Sequence, residues 1–300
     1  MRICIVSVQW IPVITGGGGV SVVNLVRELA KEHDVVVYCF GLGDLVEEET
    51  MILNGSHVRV KRFFTRDSKR ISNPFEGTKR EEIDRLREFA DRVVETLDCS
   101  HFDVIHLHGH FVVPSLAKRL KEKRCESRIV TTIHAFESII ELEKGEYSSG
   151  RDVFNEIVSM ERDALEYSDV ITVGSRSLLE EIRKIHGEKY LGKIRIIPMG
   201  IEDKFFEALD EKKVLEIKRQ YAGDGYLILN INRLDPSKCI EYIIESMKYV
   251  VRYLNNARIT LVIAGKFEDR NRQYLDMLIE IKKRVESCLL YTSPSPRDRG

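Results

Sequence analysis

The chain has 300 residues, and its 47 Lys and Arg residues nearly balance its 48 Asp and Glu residues, for a formal net charge of −1. This balance argues against a nucleic-acid-binding protein, whose domains are usually strongly basic. The length allows two domains, and no apolar run approaches the roughly 20 residues that a membrane helix needs.

The amino-terminal stretch combines a strand, a glycine loop and a helix. The strand is predicted from Ile3 to Val8, the glycine loop is Gly16 to Gly19, and a helical pattern begins at Val20. Backbone N–H groups of such a loop can bind a phosphate, and glycines let a ligand approach closely. A dinucleotide fingerprint fits poorly, because this loop begins well after the strand ends. A purely structural role for the glycines, as a tight turn, stays open.

A basic segment follows the second predicted strand, Val35 to Phe40. It runs from Val58 to Arg70 and places lysines and arginines around two phenylalanines. The favoured interpretation is a solvated loop, and contact with an anionic acceptor or a membrane surface is the alternative. An amphipathic helix is predicted next, from Glu81 to Leu97.

Three histidines alternate at the end of a strand predicted from Phe102 to Leu107. They are His106, His108 and His110, and a spacing of two places all three on one face of an extended chain. A metal site is disfavoured, because no local carboxylate or cysteine joins them. Packing, or ligand contact at the carboxyl end of the strand, is the favoured role.

A further histidine leaves the next predicted strand, Arg128 to Ile133. This residue, His134, can donate a hydrogen bond or shuttle a proton at the carboxyl ends of the strands, where ligands of parallel sheets bind. The alternative is an ordinary surface histidine. The acidic segment Glu141 to Glu146 and Ser148 to Gly150 are predicted to form a mobile loop. A long helix follows, from Val153 to Glu166.

The predicted alternation of strand and helix continues to about residue 200. The strand Val170 to Val173 is followed by Gly174-Ser175, and Ser177 is predicted to cap the next helix. A strand from Lys193 to Ile197 ends at Pro198-Met199-Gly200. The pattern predicts an α/β domain with a parallel sheet.

A second, shorter alternation begins with a strand from Tyr226 to Ile231. A turn then presents Arg233 and Lys238, and a helix leads to a second strand, Ile259 to Ala264. A last helix is predicted from Asn271 to Val285. Two cations beyond a strand end and beside a helix start predict an anion site, most plausibly for phosphate. The alternative is that both are solvated turn residues.

These segments, taken in order, resemble the motifs of retaining nucleotide-sugar glycosyltransferases of the GT-B type, specifically glycosyltransferase family 4. The segments that carry the resemblance are Gly18-Gly19-Val20, DVIHLHGH (103–110), TTIHAFE (131–137), SDVITVGSRSL (168–178), IIPMGIEDKFF (196–206), NINRLDPSKCIEYIIES (230–246) and LVIAGKFED (261–269). The sequence departs from the family pattern at Met199, which replaces an asparagine, and at Asn232 and Cys239, which replace glycines. Lys266-Phe267 is also unlike the customary acidic-glycine turn.

The resemblance implies a GT-B fold of two Rossmann-like parallel-sheet domains. Residues 1–198 would bind the acceptor, and residues 199–287 would form part of the nucleotide-sugar donor domain. The resemblance implies that His134 is catalytic at the reacting sugar. It also implies that the donor diphosphate contacts Arg233, Lys238, Gly18 and Gly19, and that the cleft includes His108, His110, Ser175 and Gly200.

The carboxyl-terminal part of the chain departs from the family. The family's second domain continues for about a further hundred residues and carries a two-glutamate motif that has no counterpart here. Residues 288–300 resemble a translated sequencing-library adapter and are predicted to be non-native. The second domain is therefore expected to be incomplete and the chain as it stands inactive.

The expected function is transfer of a sugar from a UDP- or GDP-sugar to an unknown acceptor, with retention of configuration. A glycan or a lipid-linked acceptor at the membrane surface is one candidate, and neither a metal, a cofactor nor nucleic acid is expected. The alternatives are a nucleotide-sugar epimerase or phosphorylase-like enzyme on the same architecture, and a non-catalytic sugar- or nucleotide-binding module.

The cysteines bear on the cellular compartment. All six lack a metal-binding spacing and are predicted to be reduced thiols: Cys4, Cys39, Cys99, Cys125, Cys239 and Cys288. No signal peptide is predicted either, because Met1-Arg2 is followed directly by a strand pattern. A cytoplasmic location is therefore expected, peripheral at the membrane in the case of a lipid-linked acceptor.

Overall fold

The computed structural model describes residues 1–109, 111–143, 148–254, 257–265 and 271–290, with the backbone alone for 287–290. The chain divides into two compact units between Phe206 and Glu207. The first unit contains an eight-stranded sheet in the order β3-β4-β2-β1-β5-β6-β7-β8. Its strands are β1 (Arg2–Ser7), β2 (Asp34–Phe40), β3 (Glu48–Leu53), β4 (Ser56–Phe63), β5 (Val104–Gly109), β6 (Arg128–Ile133), β7 (Val170–Val173) and β8 (Ile194–Ile196).

Helices cover both faces of this sheet. They are α1 (Gly17–Leu29), α2 (Lys79–Thr96), α3 (Val112–Glu122), α4 (Glu137–Glu143), α5 (Arg151–Tyr167) and α6 (Arg176–His186). Because side chains alternate along a strand, Ile3 and Ile5 of β1 pack toward α1, whereas Cys4 and Val6 pack toward α2, α3 and α5. All strand pairs are parallel except β3 with β4.

The basic segment from Val58 to Arg70 is not simply a solvated loop, and that prediction is wrong for its first half. Residues 58–63 lie in β4, where Arg62 is 3% exposed and pairs with Glu49. Arg62 also donates a hydrogen bond to the carbonyl of Ile11, 3.1 Å away. The missed signal is Asn54-Gly55, whose positive φ angles of 49° and 85° form the two-residue turn of a β-hairpin.

Two of the cysteines are paired, so the prediction that all six are reduced thiols is wrong for them. Cys99 and Cys125 form a disulfide, with Cα atoms 5.5 Å apart and a sequence separation of 26 residues. They precede β5 and β6, and the crossover through α3 brings them together. Cys4 and Cys39 are free and buried, and burial raises the pKa of the Cys39 thiol to about 12.

The first residues of the segment predicted as an acidic loop belong to a helix instead. Glu141, assigned to a mobile acidic loop, is buried in α4 and accepts hydrogen bonds from Ser148 Oγ (2.6 Å) and Ser149 N (3.1 Å). These hydrogen bonds connect Glu141 of α4 to the backbone and side chains that precede α5. Residues 144–147 lie outside the described ranges.

The second unit contains a two-stranded parallel sheet in the part that the structure describes. Its elements are α7 (Glu211–Ala222), β9 (Tyr226–Ile231), α8 (Ile240–Tyr253), β10 (Ile259–Ala264) and α9 (Arg272–Leu290). One face of the sheet packs against α8 and α9. Gly265 ends β10 so close to Asn232 that a Cβ atom would lie 1.6 Å from the Asn232 carbonyl oxygen. Both predicted strands have the observed bounds.

None of the helices in the described ranges has the length and apolar composition needed to cross a bilayer.

Candidate functional site

The site residues of the first unit gather at one edge of the sheet. β1, β5, β6 and β7 are parallel, so their carboxyl ends meet at the same edge. The glycine-rich segment follows β1, His108 is near the end of β5, His134 follows β6 and Ser175 follows β7.

Gln9 fixes the glycine-rich segment through hydrogen bonds, although no role was predicted for this residue from the sequence. Gln9 Oε1 accepts hydrogen bonds from Thr15 N (2.9 Å), Thr15 Oγ1 (3.0 Å) and Gly16 N (3.1 Å). A Cβ atom at Gly19 would lie 2.8 Å from the same oxygen. Gly19 is therefore required for packing, which agrees with the structural alternative for this one glycine.

The start of α1 is open. The helix begins at Gly17 rather than at Val20, with Gly16 as an N-cap residue that supplies no side-chain hydrogen bond. A Cβ atom at Gly16 or Gly17 would meet no other atom within 4 Å. The first N–H groups of a helix have no partner within the helix, and the helix dipole makes this end attractive to anions. An uncapped, unobstructed helix start of this kind can bind a phosphate.

His134 lies directly beside that helix start. A Cβ atom at Gly18 would be 3.6 Å from Cγ and Cδ2 of the His134 ring. The ring also stacks on His108, with centroids 5.7 Å apart and planes at 29°. The prediction that His134 sits at the sheet edge with the glycine segment therefore has a geometric basis, whereas its catalytic role stays a prediction.

His106 and His108 lie on one face of β5, with ring centroids 4.0 Å apart. His106 Nε2 is 2.7 Å from Thr132 Oγ1. Burial, with a contribution from His134, lowers the pKa of His106 to about 3, and burial also lowers the pKa of His108 well below its usual range. Both rings are therefore neutral near pH 7. His110, predicted to join them, lies outside the described residues.

The segment after His134 is fixed by buried charges that the sequence did not reveal. Lys79 at the start of α2 lies 2.7 Å from a carboxylate oxygen of Glu137 and 2.7 Å from one of Glu82. Ser138 donates to Glu161 from both its backbone N (3.0 Å) and its Oγ (2.6 Å). These contacts anchor the beginning of α4 to α2 and α5.

The remaining first-unit residues have local roles. Ser175, not Ser177 as predicted, is the N-cap of α6, and its Oγ accepts a hydrogen bond from Leu178 N at 3.2 Å. Ser21 Oγ in α1 lies 2.9 Å from Met199 Sδ. Gly200 is exposed, and a Cβ atom there would meet nothing within 4 Å. Ser175 itself is exposed, and the one hydrogen bond described for its hydroxyl is this helix cap.

In the second unit, Arg233 and Lys238 flank a turn organised by Asp235. Asp235 accepts hydrogen bonds from Ser237 N (3.0 Å) and Ser237 Oγ (2.6 Å). Burial opposes its ionisation, but these hydrogen bonds and that from Asn271 hold its pKa below the usual range. Lys238 is exposed at the end of a 3-10 turn, and Arg233 is half-buried.

The start of α8 differs from that of α1, because it is already capped. Tyr274 of α9 accepts a hydrogen bond from Ile240 N at 3.0 Å and donates one to Glu241. An anion at this turn would therefore depend on the side chains of Arg233 and Lys238. In the ranges that the structure covers, no group of three or more His, Cys, Asp or Glu side chains is placed to hold a metal ion.

The sequence profile of glycosyltransferase family 4 matches residues 15–205. No curated protein matches the chain in a sequence search. Among solved structures, sucrose-phosphate synthase from Thermosynechococcus elongatus superimposes with a TM-score of 0.70 at 16% identity, over 94% of this chain and 68% of that one.

Two further structures have the same fold. HepE from Anabaena, in complex with UDP and glucose, gives a TM-score of 0.64 at 14% identity, over 95% of this chain and 67% of that one. The trehalose-phosphate synthase of Burkholderia xenovorans, in complex with glucose-6-phosphate, gives 0.63 at 14% identity, over 96% and 72%. The predicted α/β fold of the GT-B type is confirmed, and the chain belongs to glycosyltransferase family 4.

Proposed function

We propose that this glycosyltransferase moves a sugar from a UDP- or GDP-sugar to an acceptor with retention of configuration. The observation that carries the proposal is the uncapped start of α1 with His134 against Gly18, in a chain of family 4. HepE, which shares the fold, is described in complex with UDP-glucose, which supports a nucleotide sugar as the donor.

The chemistry needs groups that stabilise negative charge on the departing diphosphate. Backbone N–H groups at the start of α1 are fixed donors, so they stabilise that charge without reorganising during the reaction. Arg233 and Lys238 of the second unit are proposed to neutralise the donor diphosphate through their side chains. His134 is proposed to contact the reacting sugar, because its ring adjoins the point at which the helix would hold the phosphate.

The remaining parts of the proposal concern the acceptor and its setting. The first unit is proposed to bind the acceptor, with His108 in the wall of the cleft behind His134, and a glycan or lipid-linked molecule at a membrane surface is the proposed class. Transfer is proposed to proceed without a metal or another cofactor, at the cytoplasmic side of the cell.

The experiment measures nucleotide binding by calorimetry and nucleotide release by a coupled assay, with UDP- and GDP-sugars and with glycan or lipid-linked acceptors. Release that depends on acceptor supports transfer, and it would contradict the expectation from the sequence that the chain as it stands is inactive. Epimerised sugar without release would indicate an epimerase, and binding without turnover a non-catalytic module; both outcomes contradict the proposal.

A matched pair of alanine variants tests the helix start itself. Gly17→Ala adds a methyl group where the fold has free space and where Ala favours the helix, so the protein is expected to fold normally. We expect about tenfold weaker nucleotide binding, because the methyl group occupies the space of the phosphate. Gly192→Ala also meets no atom within 4 Å and is the control, with unchanged affinity expected. Equal affinity in both variants would remove the start of α1 from the donor site.

A further inference from the structure

A column of polar side chains crosses the sheet on the face that α1 covers. His106 pairs in register with Ile5 of β1, and Ile5 packs toward α1, so His106 is on that face. His108 is two residues further along β5, and Thr132 of β6 and Thr172 of β7 are in register with it. We call His106, His108, Thr132 and Thr172 the polar column.

Hydrogen bonds connect three neighbouring strands through the polar column. His106 Nε2 and Thr132 Oγ1 are 2.7 Å apart, and Thr132 Oγ1 and Thr172 Oγ1 are 2.6 Å apart. Thr132 therefore occupies the centre of the chain of hydrogen bonds, and its single hydroxyl links the other two side chains.

Contacts between histidine rings extend from the polar column to His134. The rings of His106 and His108 are 4.0 Å apart, and those of His108 and His134 are 5.7 Å apart with planes at 29°. On its other side the His134 ring adjoins Gly18 in the first turn of α1. The imidazole of His134 is thus held between the polar column and the start of the helix.

Packing alone does not account for histidine at position 108. His108 is 3% exposed, and neither of its ring nitrogens has a hydrogen-bond partner among the described protein atoms. On the same face, β1 and β2 present apolar side chains such as Ile3 and Val35. An apolar residue would avoid the free-energy cost of a buried, unpaired polar group. Departures of this kind from good packing are expected at functional sites.

We propose that His106, His108 and Thr132 are positioning residues, which fix the plane of the His134 imidazole against the start of α1. The effect on turnover rests on the proposed function, in which His134 contacts the donor sugar. The orientation of the ring is a property of the protein alone and can be measured without any substrate.

The test removes the central hydroxyl. Thr132→Val preserves the shape of the side chain and breaks both hydrogen bonds, whereas Thr132→Ser retains a hydroxyl and is expected to restore them. Thr131→Val is the matched control, because the neighbouring Thr131 is also buried and its Oγ1 makes a 2.7 Å hydrogen bond to Ser168 Oγ on the opposite face. The readout is the set of imidazole nitrogen and proton NMR signals of His134, assigned with His134→Gln.

We expect Thr132→Val to shift or broaden the His134 signals, and Thr132→Ser and Thr131→Val to leave them as in the wild type. In the transfer assay, Thr132→Val is expected to lower kcat about tenfold with little change in KM for the donor, because misplacing a reacting group slows turnover. Unchanged His134 signals in Thr132→Val, or equal shifts in Thr131→Val, overturn the positioning role. Shifted signals with unchanged kcat overturn its effect on turnover. If the wild type releases no nucleotide, the proposed function fails, and the NMR result still decides the orientation.

Discussion

Lowering the pH from 7 to 5 is expected to destabilise the first unit, because the fold keeps the rings of His106 and His108 neutral over that range. The pKa of His106 is about 3 in the folded protein, against an ordinary value of 6.5. Between these values the unfolded chain binds a proton that the folded chain does not, so the free energy of unfolding falls as the pH falls. The loss begins near pH 6.5 and continues to about pH 3.

The magnitude follows from the size of the shift. About 1.4 kcal/mol is lost for each pH unit below the unfolded pKa, which amounts to about 2 kcal/mol from His106 at pH 5. The lowered pKa of His108 acts in the same direction. Carboxylates whose pKa is lowered in the folded protein, such as Asp169, lose their contribution only at a more acidic pH, below about 4. Between pH 7 and pH 5, the change in the free energy of unfolding therefore reports the histidines rather than these carboxylates.

Urea unfolding at pH 7 and pH 5 measures this effect, and fluorescence of Trp10 reports the first unit selectively. Trp10 is the single tryptophan of the chain and is 2% exposed within the core of that unit. His106→Gln removes the titrating ring while its amide can still bond to Thr132, so the variant is expected to lose about 2 kcal/mol less than the wild type between the two pH values. His57→Gln, at an exposed position of β4, is the control. Equal pH sensitivity of His106→Gln and the wild type would refute the reasoning.

Two further predictions concern the cysteines. Cys239 has φ = 50° in the left-handed region, which costs a non-glycine residue about 1 kcal/mol. Cys239→Gly is therefore expected to slow hydrogen exchange in α8 and Cys239→Ala is not; equal protection in both variants would contradict backbone strain. Reduction of the Cys99–Cys125 disulfide, which closes a loop of 26 residues, is expected to lower the stability of the first unit by about 3 kcal/mol. The double variant with serine at both positions is expected to have the urea midpoint of the reduced protein, whether or not reductant is present. An unchanged urea midpoint of the reduced wild type would exclude a stabilising role.

The elements that could be predicted from sequence are those whose signals are local. β9 and β10 have the predicted bounds, because each is a short apolar run that ends at a turn. The hairpin of β3 and β4 was missed although its Asn54-Gly55 turn is a local signal, because Arg62 near the end of β4 looks like a solvated charge in sequence. Its burial depends on Glu49 and on the carbonyl of Ile11, which are distant in sequence.

The same distinction applies to the candidate site. Its location at the carboxyl edge, with the glycine segment and His134 together, follows from strand order and motif. Its geometry depends on tertiary contacts, such as the hydrogen bonds of Gln9 near the start of α1 and the ion pair between Lys79 and Glu137. A sequence pattern contains no signal for such contacts, because each residue by itself is common on a protein surface.

The hydrogen bond between Tyr274 and the start of α8 also affects the order in which parts of the chain fold during synthesis. Residues that come later in the chain stabilise the turn bearing Arg233 and Lys238. Asn271 donates a hydrogen bond to the carbonyl of Leu234 (3.2 Å), and Tyr274 of α9 accepts one from Ile240 N (3.0 Å). A nascent chain that has emerged from the ribosome only as far as β10 contains both strands and α8 but lacks these partners. Domains generally fold as they are synthesised, amino-terminal parts first. The proposed phosphate-binding turn is therefore expected to acquire its final shape only after residue 274 has left the exit tunnel, later than the glycine-rich start of α1.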